Sequence, residues 1–151
     1  MEVVDNGVAV VRLDVPEEKM NTLNRKLMDD FDVVLSSIEG DESIKSVVLI
    51  SGKPDNFIAG ADIKMLSSCE TKEELESVST MGQGFMDRLA NNKRPVVAAI
   101  HGPCLGGGLE VALACDYRIA TEHKKTVLAV PEVMLGLLPG AGGTQRLPKL
   151  V

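Results

Sequence analysis

The sequence predicts an α/β fold, because short apolar runs bounded by turn residues alternate with longer segments of helical periodicity. Three apolar runs, at 7–15, 45–52 and 95–102, have the character of strands, and the last two match buried strands. Helical patterns separate these runs along the chain. This order of elements is typical of βαβ units, in which neighbouring strands are parallel.

The helices are predicted from their periodicity and from residues that start or stop a helix. The first covers 21–41, with Asn21 or Thr22 as the N-cap and Gly40 at its end. A short helix is expected at 61–66, after a loop rich in Pro, Asp, Asn and Gly, and a longer one at 71–91. The apolar stripes of the two long helices are Leu23, Leu27, Phe31, Val34, Leu35 and Ile38, and Leu75, Val78, Phe85 and Leu89.

The last third of the chain continues the alternation. A helix is predicted over 106–115, directly after the third strand, and short strands follow near 117–120 and 127–129. The glycine turn in "PGAGGTQRLP" starts another helix, and the chain stops soon after it without a polar tail. We therefore expect residues 1–151 to be the N-terminal part of a longer domain.

Composition excludes several classes of protein. With 44% hydrophobic and 25% charged residues, the chain is suited to one domain with a real core. A net charge of −6 argues against a general nucleic-acid or anionic-membrane surface, and the three Phe and one Tyr make a base-stacking platform improbable. No apolar run approaches the ~20 residues of a membrane span, and no signal or transit peptide is evident. The three cysteines are expected to be reduced core residues.

A glycine triplet precedes a helix in the segment "IHGPCLGGGLEVALACD". The segment has neither the G-x-G-x-x-G pattern nor the Lys-Ser/Thr of a P-loop, so a nucleotide-phosphate site is unsupported. One interpretation is a tight turn between a strand and a helix. The other is that backbone N–H groups at the helix start hold an oxygen that becomes negative during a reaction.

One acid stands in this helix, and a second acid has similar neighbours. Glu110 lies about one helical turn after Gly107 and leans back toward the turn. It is either a solvated residue or a half-buried, unpaired carboxylate suited to proton transfer, and its apolar neighbours favour the second. Glu132 in "VPEVMLGLLPGAGG" repeats the apolar surroundings. Two such acids indicate paired acid/base chemistry.

Other polar residues have simpler interpretations. Asp62 is expected to cap the short helix. His101 and His123 have no partners at metal-ligand spacing, so they are expected to be solvated or hydrogen-bonded, and no metal site is predicted.

Three motifs, "FIAGADIKML", "AAIHGPCLGGGLEVALACDYRIA" and "PEVMLGLLPGAGGTQRLP", resemble the enoyl-CoA hydratase/isomerase (crotonase) superfamily, and they occur in the order found there. In detail the chain looks most like the hydratase domain of the α-subunit of the fatty-acid β-oxidation multienzyme, the mitochondrial trifunctional protein. The resemblance implies a crotonase-like core built as a spiral of ββα repeats. It also implies that the chain ends before the C-terminal helices that cover the acyl pocket and contribute to trimer contacts.

The resemblance implies roles for particular residues. Glu110 and Glu132 correspond to the two catalytic carboxylates, and the backbone N–H groups of Ala61 and Gly107 to the oxyanion hole. Gly140 matches a glycine whose backbone helps to place the water. Lys64 stands where members of the family can meet the phosphates of CoA.

The implied reaction is the hydration of trans-2-enoyl-CoA to 3-hydroxyacyl-CoA in β-oxidation, without a cofactor, because the CoA thioester is itself the substrate. Two alternatives stay open: a double-bond isomerase, or a non-catalytic acyl-CoA-binding or assembly fragment. The expected partners are an acyl-CoA substrate and further copies of the chain or a β-oxidation complex, with no nucleic acid and no strong membrane signal. The expected location is intracellular, in the mitochondrial matrix by resemblance, with the peroxisome or the cytoplasm as alternatives.

Overall fold

The computed structural model describes all 151 residues, Met1–Val151. Its strands are β1 (Glu2–Val4), β2 (Val8–Leu13), β3 (Ser46–Ser51), β4 (Val96–Ile100), β5 (Pro103–Leu105), β6 (Tyr117–Ala120) and β7 (Val127–Ala129). Its helices are α1 (Arg25–Gly40), α2 (Ile63–Ser67), α3 (Lys72–Ala90), α4 (Gly107–Ala114) and α5 (Gly143–Arg146). Turns of 3₁₀ helix lie at Asp5–Gly7, Pro131–Leu135 and Leu147–Lys149.

The main sheet has five strands in the order β1-β2-β3-β4-β6. Strands β2, β3, β4 and β6 are parallel and follow the order of the chain, with at least one helix in each connection. The predicted α/β fold with βαβ units is therefore confirmed. Residues of β2, β3 and β4 alternate between buried and less buried positions, so that one face of the sheet packs against the helices.

The N-terminal strand β1 forms a hairpin with β2, which the sequence analysis missed. β1 pairs antiparallel with β2 through a turn in which Asn6 and Gly7 have φ of 65° and 77°. Val4 pairs with Val8, so the connection has three residues, and Asn and Gly are the residues that adopt positive φ most readily. The signal was present in "VVDNGVAV".

Helix α1 begins later than predicted, and neither Asn21 nor Thr22 caps it. The N-cap is Asn24, whose Oδ1 accepts a hydrogen bond from the Leu27 N–H at 2.8 Å. Leu23 precedes the helix and forms a parallel β-bridge with Ala61. Leu23 therefore stands at a helical spacing from the apolar residues of α1 only by coincidence, because it belongs to a buried extended segment.

Asn21, which the sequence suggested as a cap, is instead a fully buried hydrogen-bonding centre. Its Nδ2 donates to the Leu13 and Phe57 carbonyls, both at 3.1 Å, and to Ser51 Oγ at 2.9 Å. Its Oδ1 accepts from the Val15 N–H at 2.9 Å. One amide side chain thus joins the ends of β2 and β3 to the loop that leads into α2.

Helix α3 is bounded as predicted, with Thr71 and Glu74 forming a capping box at its start. Phe85 and Leu89 are buried in its second half. Leu75 in its first half is 43% exposed, so the apolar stripe is buried only toward the end of the helix.

A second, two-stranded parallel sheet brings distant segments to the end of α4. In it, β5 pairs with β7, which sets Leu105 opposite Ala129, and Cys104 of β5 bridges to Ile58 on its other side. The Leu105 N–H donates to the Ile58 carbonyl at 3.0 Å. Segments that end at residues 58, 105 and 129 therefore lie side by side. The sequence analysis did not predict β5, which has only three residues.

The prediction of core thiols holds for two of the three cysteines. Cys104 and Cys115 are buried, and burial raises the pKa of each thiol to about 12, whereas Cys69 is half-buried. None of the helices combines the length and the apolar content that crossing a membrane requires.

Candidate active site

The glycine triplet makes the sharp connection between β5 and α4. Gly106 is the N-cap of α4 and has φ 52° and ψ −125°, a backbone conformation that side chains with a Cβ rarely adopt. Its N–H donates to the Ala129 carbonyl at 2.8 Å, which ties the turn to β7. All eight residues of α4 are buried. The helix is therefore a central part of the core, and its first turn is fixed in place.

Close packing of α4 sets two backbone N–H groups beside each other. A Cβ on Gly108 would collide with the Ile58 carbonyl, and a Cβ on Gly107 would lie 3.7 Å from the Ala61 nitrogen. The Ala61 N–H has no hydrogen-bond acceptor within the chain. Gly107 is the first residue of α4, where the N–H has no partner inside the helix. The two N–H groups that the sequence analysis named are thus brought together.

Glu110 lies one turn into α4 and is only 3% exposed. Its Oε1 accepts hydrogen bonds from the Ala141 N–H at 2.9 Å and the Gly143 N–H at 2.7 Å. Its Oε2 would lie 3.9 Å from a Cβ on Gly107. The carboxylate is therefore more deeply buried than the sequence suggested, and it is paired with backbone donors.

Glu132 lies in the 3₁₀ turn that follows β7 and faces the same glycine triplet. Its Oε1 would be 2.9 Å from a Cβ on Gly106, and its Oε2 is buried without a hydrogen-bond partner. Burial raises the pKa of this carboxyl, and the nearby Glu110 adds to the rise, while the Glu132 backbone N–H opposes it. Because Gly106 and Gly107 are consecutive, both acids approach the same short turn.

The apolar residues after Glu132 do not bury it, contrary to the sequence interpretation of apolar surroundings. The side chains of Val133, Met134 and Leu138 are 76%, 84% and 81% exposed. The burial of Glu132 comes from its approach to the glycine triplet instead.

Gly140 precedes the Ala141 N–H that binds Glu110, and Lys64 follows Ala61 in the chain. The Gly140 carbonyl accepts hydrogen bonds from Ser79 Oγ at 2.6 Å and Gln83 Nε2 at 2.8 Å. Lys64 is exposed in α2, shortly after Ala61, and its ammonium takes part in no ion pair. The roles of Gly140 in placing water and of Lys64 in binding phosphate stay predictions.

Asp62, His101 and His123 have the surroundings that the simpler interpretations predicted. Asp62 is the N-cap of α2, and its Oδ1 accepts from the Lys64 N–H at 2.8 Å. His101 Nε2 is 2.6 Å from the Lys53 carbonyl oxygen, and His123 is exposed. The chain contains no cluster of three or more His, Cys, Asp or Glu residues that could hold a metal ion.

Sequence analysis missed the Ala141 and Gly143 N–H groups as partners of Glu110. The signal was the sequence "PGAGG", from which the sequence analysis predicted a turn before a helix and a role of Gly140 in placing water. Its glycines allow backbone donors to approach a buried side chain closely: a Cβ on Gly143 would lie 3.0 Å from Glu110 Oε1.

With this geometry described, comparison with known proteins identifies the family. The model of the family described as enoyl-CoA hydratase/isomerase matches residues 4–151. The chain belongs to this family. The prediction from the three motifs is therefore confirmed, and relatives of the chain include α-subunits of fatty acid oxidation complexes, as the resemblance implied.

Curated relatives of this family member are bacterial α-subunits. The fatty acid oxidation complex subunit alpha of Idiomarina loihiensis is 55% identical over 151 residues, which is 100% of this chain and 21% of that protein. The protein of the same name from Vibrio campbellii is 50% identical over the same share of both chains. This chain thus spans about a fifth of the length of these relatives. Because they are bacterial, they give no support to a mitochondrial location.

Solved structures of other family members confirm the crotonase-like fold. The enoyl-CoA hydratase of Bacillus anthracis matches with a TM-score of 0.87 at 35% identity, over 96% of this chain and 55% of that chain. The enoyl-CoA hydratase of Thermoplasma volcanium matches with a TM-score of 0.86 at 34% identity, over 96% of this chain and 56% of that one. The chain therefore spans about half the length of these structures.

Replacing Glu132 by Gln is expected to stabilise the folded chain near neutral pH. Burial raises the pKa of Glu132 above its ordinary value of 4.5, so the folded state holds the carboxyl proton more tightly than the unfolded state does. The stability that the protonated carboxyl contributes is fully present below pH 4.5. It is lost as the pH rises through the folded-state pKa. A neutral Gln avoids this loss, so Tm should rise by about 1–2 °C near pH 7, a modest change because the residue is only half-buried.

Thermal unfolding followed by circular dichroism at about pH 7 and about pH 4 measures this effect, which should shrink toward zero at the lower pH. The exposed Glu122→Gln is the matched control and should leave Tm unchanged at both. A lower Tm for Glu132→Gln near neutral pH would contradict the expectation.

Proposed function

We propose that this chain carries the reacting groups that add water to a trans-2-enoyl thioester of CoA, giving the 3-hydroxyacyl thioester. The observation that supports this proposal best is that Glu110 and Glu132 both approach one glycine turn, beside the N–H groups of Ala61 and Gly107. Two carboxylates and two backbone donors are what the addition of water to a conjugated thioester needs. The names of the relatives, enoyl-CoA hydratase and fatty acid oxidation complex subunit alpha, agree with it.

In the proposed mechanism the Ala61 and Gly107 N–H groups bind the thioester oxygen. When the water oxygen bonds to the β-carbon, the electron pair of the C=C bond moves toward the α-carbon and the carbonyl, and the oxygen becomes negative. Donors held in place by the backbone stabilise this charge without having to reorient. The close packing of Gly107 on Ala61 keeps the two donors in a fixed relation.

Glu110 and Glu132 divide the proton transfers. Glu110, whose Oε1 accepts two backbone N–H groups, is proposed as the carboxylate that takes a proton from the attacking water. Glu132, whose pKa is raised by burial, is proposed as the neutral acid that gives a proton to the α-carbon. One proton is taken up and one is delivered, so the net change is the addition of H₂O.

Two further residues complete the proposal. The backbone of Gly140, next to the Ala141 N–H that binds Glu110, helps to place the water. The exposed Lys64, shortly after Ala61, binds a phosphate of CoA when the thioester lies on Ala61. The reaction needs no cofactor beyond the CoA that is part of the substrate.

We also propose that the chain acts as part of a longer protein in a fatty acid oxidation complex. This rests on relatives named as α-subunits of such a complex, of which the chain corresponds to about a fifth. Those relatives also support an intracellular location.

Hydration of a short 2-enoyl-CoA, followed as loss of the conjugated chromophore, tests the function. The assay is run on the 151-residue chain and on the longest native polypeptide that contains it. Identification of the product separates hydration from double-bond isomerisation, which adds no hydroxyl group. If the longer protein binds the thioester but turns none of it over, the chain is an acyl-CoA-binding module and the proposal is wrong.

A further inference from the structure

Helix α3 presents a row of polar side chains to the glycine-rich loop that holds Glu110. Ser79, Gln83 and Asp87 are spaced four residues apart and therefore lie on one face of the helix. Ser79 Oγ and Gln83 Nε2 both donate to the Gly140 carbonyl, at 2.6 and 2.8 Å, and Gln83 Nε2 is also 3.2 Å from Ser79 Oγ. Two donors thus converge on one exposed backbone oxygen.

That oxygen belongs to the same peptide group as one of the two N–H donors to Glu110. The Gly140 carbonyl and the Ala141 N–H share one planar peptide bond, which is trans. In a trans peptide these two groups point in opposite directions. The oxygen edge of this peptide group is therefore held by Ser79 and Gln83, and its N–H edge donates to Glu110 Oε1 at 2.9 Å.

The next peptide group is held from the same helix through Arg146. Arg146 Nη1 donates to the Ala141 carbonyl at 3.2 Å, and its Nη2 forms an ion pair with Asp87 at 2.7 Å. Both carbonyls that flank the Ala141 residue are thus anchored to α3. The anchors come from opposite ends of one helical face.

The loop needs such anchors because it has few side chains of its own to hold it. Gly140, Gly142 and Gly143 supply no side chain that could pack, and Gly142 has φ of 103°. A glycine-rich segment has many accessible backbone conformations, so its N–H groups point at Glu110 only if something outside the segment fixes them.

We propose that Ser79 and Gln83 are positioning residues for the reaction: by holding the Gly140 carbonyl they orient the peptide group whose N–H fixes the Glu110 carboxylate. This inference rests on the proposed hydratase function. Neither residue touches the reacting atoms. A carbonyl that accepts two hydrogen bonds also makes its own peptide N–H a stronger donor, which adds to the effect on Glu110.

The test is a variant that removes both donors while keeping the size of the side chains, Ser79→Ala with Gln83→Met. We expect kcat for hydration to fall by about tenfold with KM within about twofold, because orientation of a reacting group is lost and substrate contacts are not. Ser79→Thr keeps a hydroxyl donor and should keep kcat within about twofold. Ser77→Ala, on the same helix and without a recorded hydrogen bond, is the matched control and should leave kcat unchanged.

A second measurement is independent of turnover. The Ala141 amide proton, seen by nuclear magnetic resonance in the labelled protein, should move upfield in the double variant, because its hydrogen bond to the Glu110 carboxylate weakens. Ser77→Ala should not move it. The single Ser79→Ala variant serves for both measurements if the double variant unfolds.

The outcomes separate this inference from the proposed function. An active parent protein whose kcat is unchanged in the double variant overturns the positioning role and leaves the function intact. An inactive parent protein contradicts the proposed hydratase function. The chemical shift of the Ala141 amide proton then decides whether α3 orients the N–H that binds Glu110. An unmoved Ala141 amide overturns the inference in either case.

Discussion

Replacing Glu110 by Gln is expected to lower kcat for hydration by about 10³-fold, a loss typical of removing one acid or base that transfers a proton in the reaction. Gln has the same shape, and its side-chain oxygen can still accept from the Ala141 and Gly143 N–H groups. The fold should therefore survive while the ability to take a proton from water is lost. Initial rates with a short 2-enoyl-CoA, measured beside Tm, separate the two effects.

Glu122→Gln is the matched control for this variant, because Glu122 is exposed and makes no recorded hydrogen bond. It should keep the parent rate. A Glu110→Gln protein that is folded and retains more than about a tenth of the parent kcat would remove Glu110 from the proposed mechanism.

Replacing Asn21 by Ala is expected to have the largest effect on stability, about 3 kcal/mol or more in the free energy of unfolding. The change removes every hydrogen bond that this fully buried side chain makes. The Phe57 carbonyl and the Val15 N–H would lose their partner, and the Leu13 carbonyl would keep only the Gly52 N–H. Urea unfolding followed by circular dichroism measures the difference, provided that both proteins unfold in one transition.

Asn24→Ala provides the comparison, since it removes an Asn only three residues away. Asn24 caps α1 with a single hydrogen bond, and the loss of such a cap costs about 1 kcal/mol. Equal losses for the two variants would mean that Asn21 does not act as the centre described above.

The order of the elements and both acids could be predicted from the sequence, because each depends on a local pattern. Apolar runs and helical periodicity defined β2, β3, β4, α3 and α4, and the unusual position of an acid among apolar residues identified Glu110. Motifs compared with a known family supplied Ala61 and Gly107, which carry no side-chain signal of their own.

Features set by contacts between distant segments could not be predicted in this way. Asn21 has a sequence context suited to a helix cap, and only the convergence of three chain segments shows that its amide is buried. The burial of Glu132 likewise depends on the return of the chain to Gly106, because its apolar neighbours in sequence are exposed. A short strand such as β5 has too few residues for a period of two to be recognised.

The two acids belong to parts of the molecule that differ in local stability. Glu110 lies on a helix with every residue in the core, and a helix of this kind opens only when the whole domain unfolds. Glu132 lies on a short 3₁₀ turn whose other apolar side chains face solvent, a segment that can open locally with little loss of buried surface. The Glu110 carboxylate is thus held by the rigid core, and the Glu132 carboxylate is carried by a segment that can move separately from it.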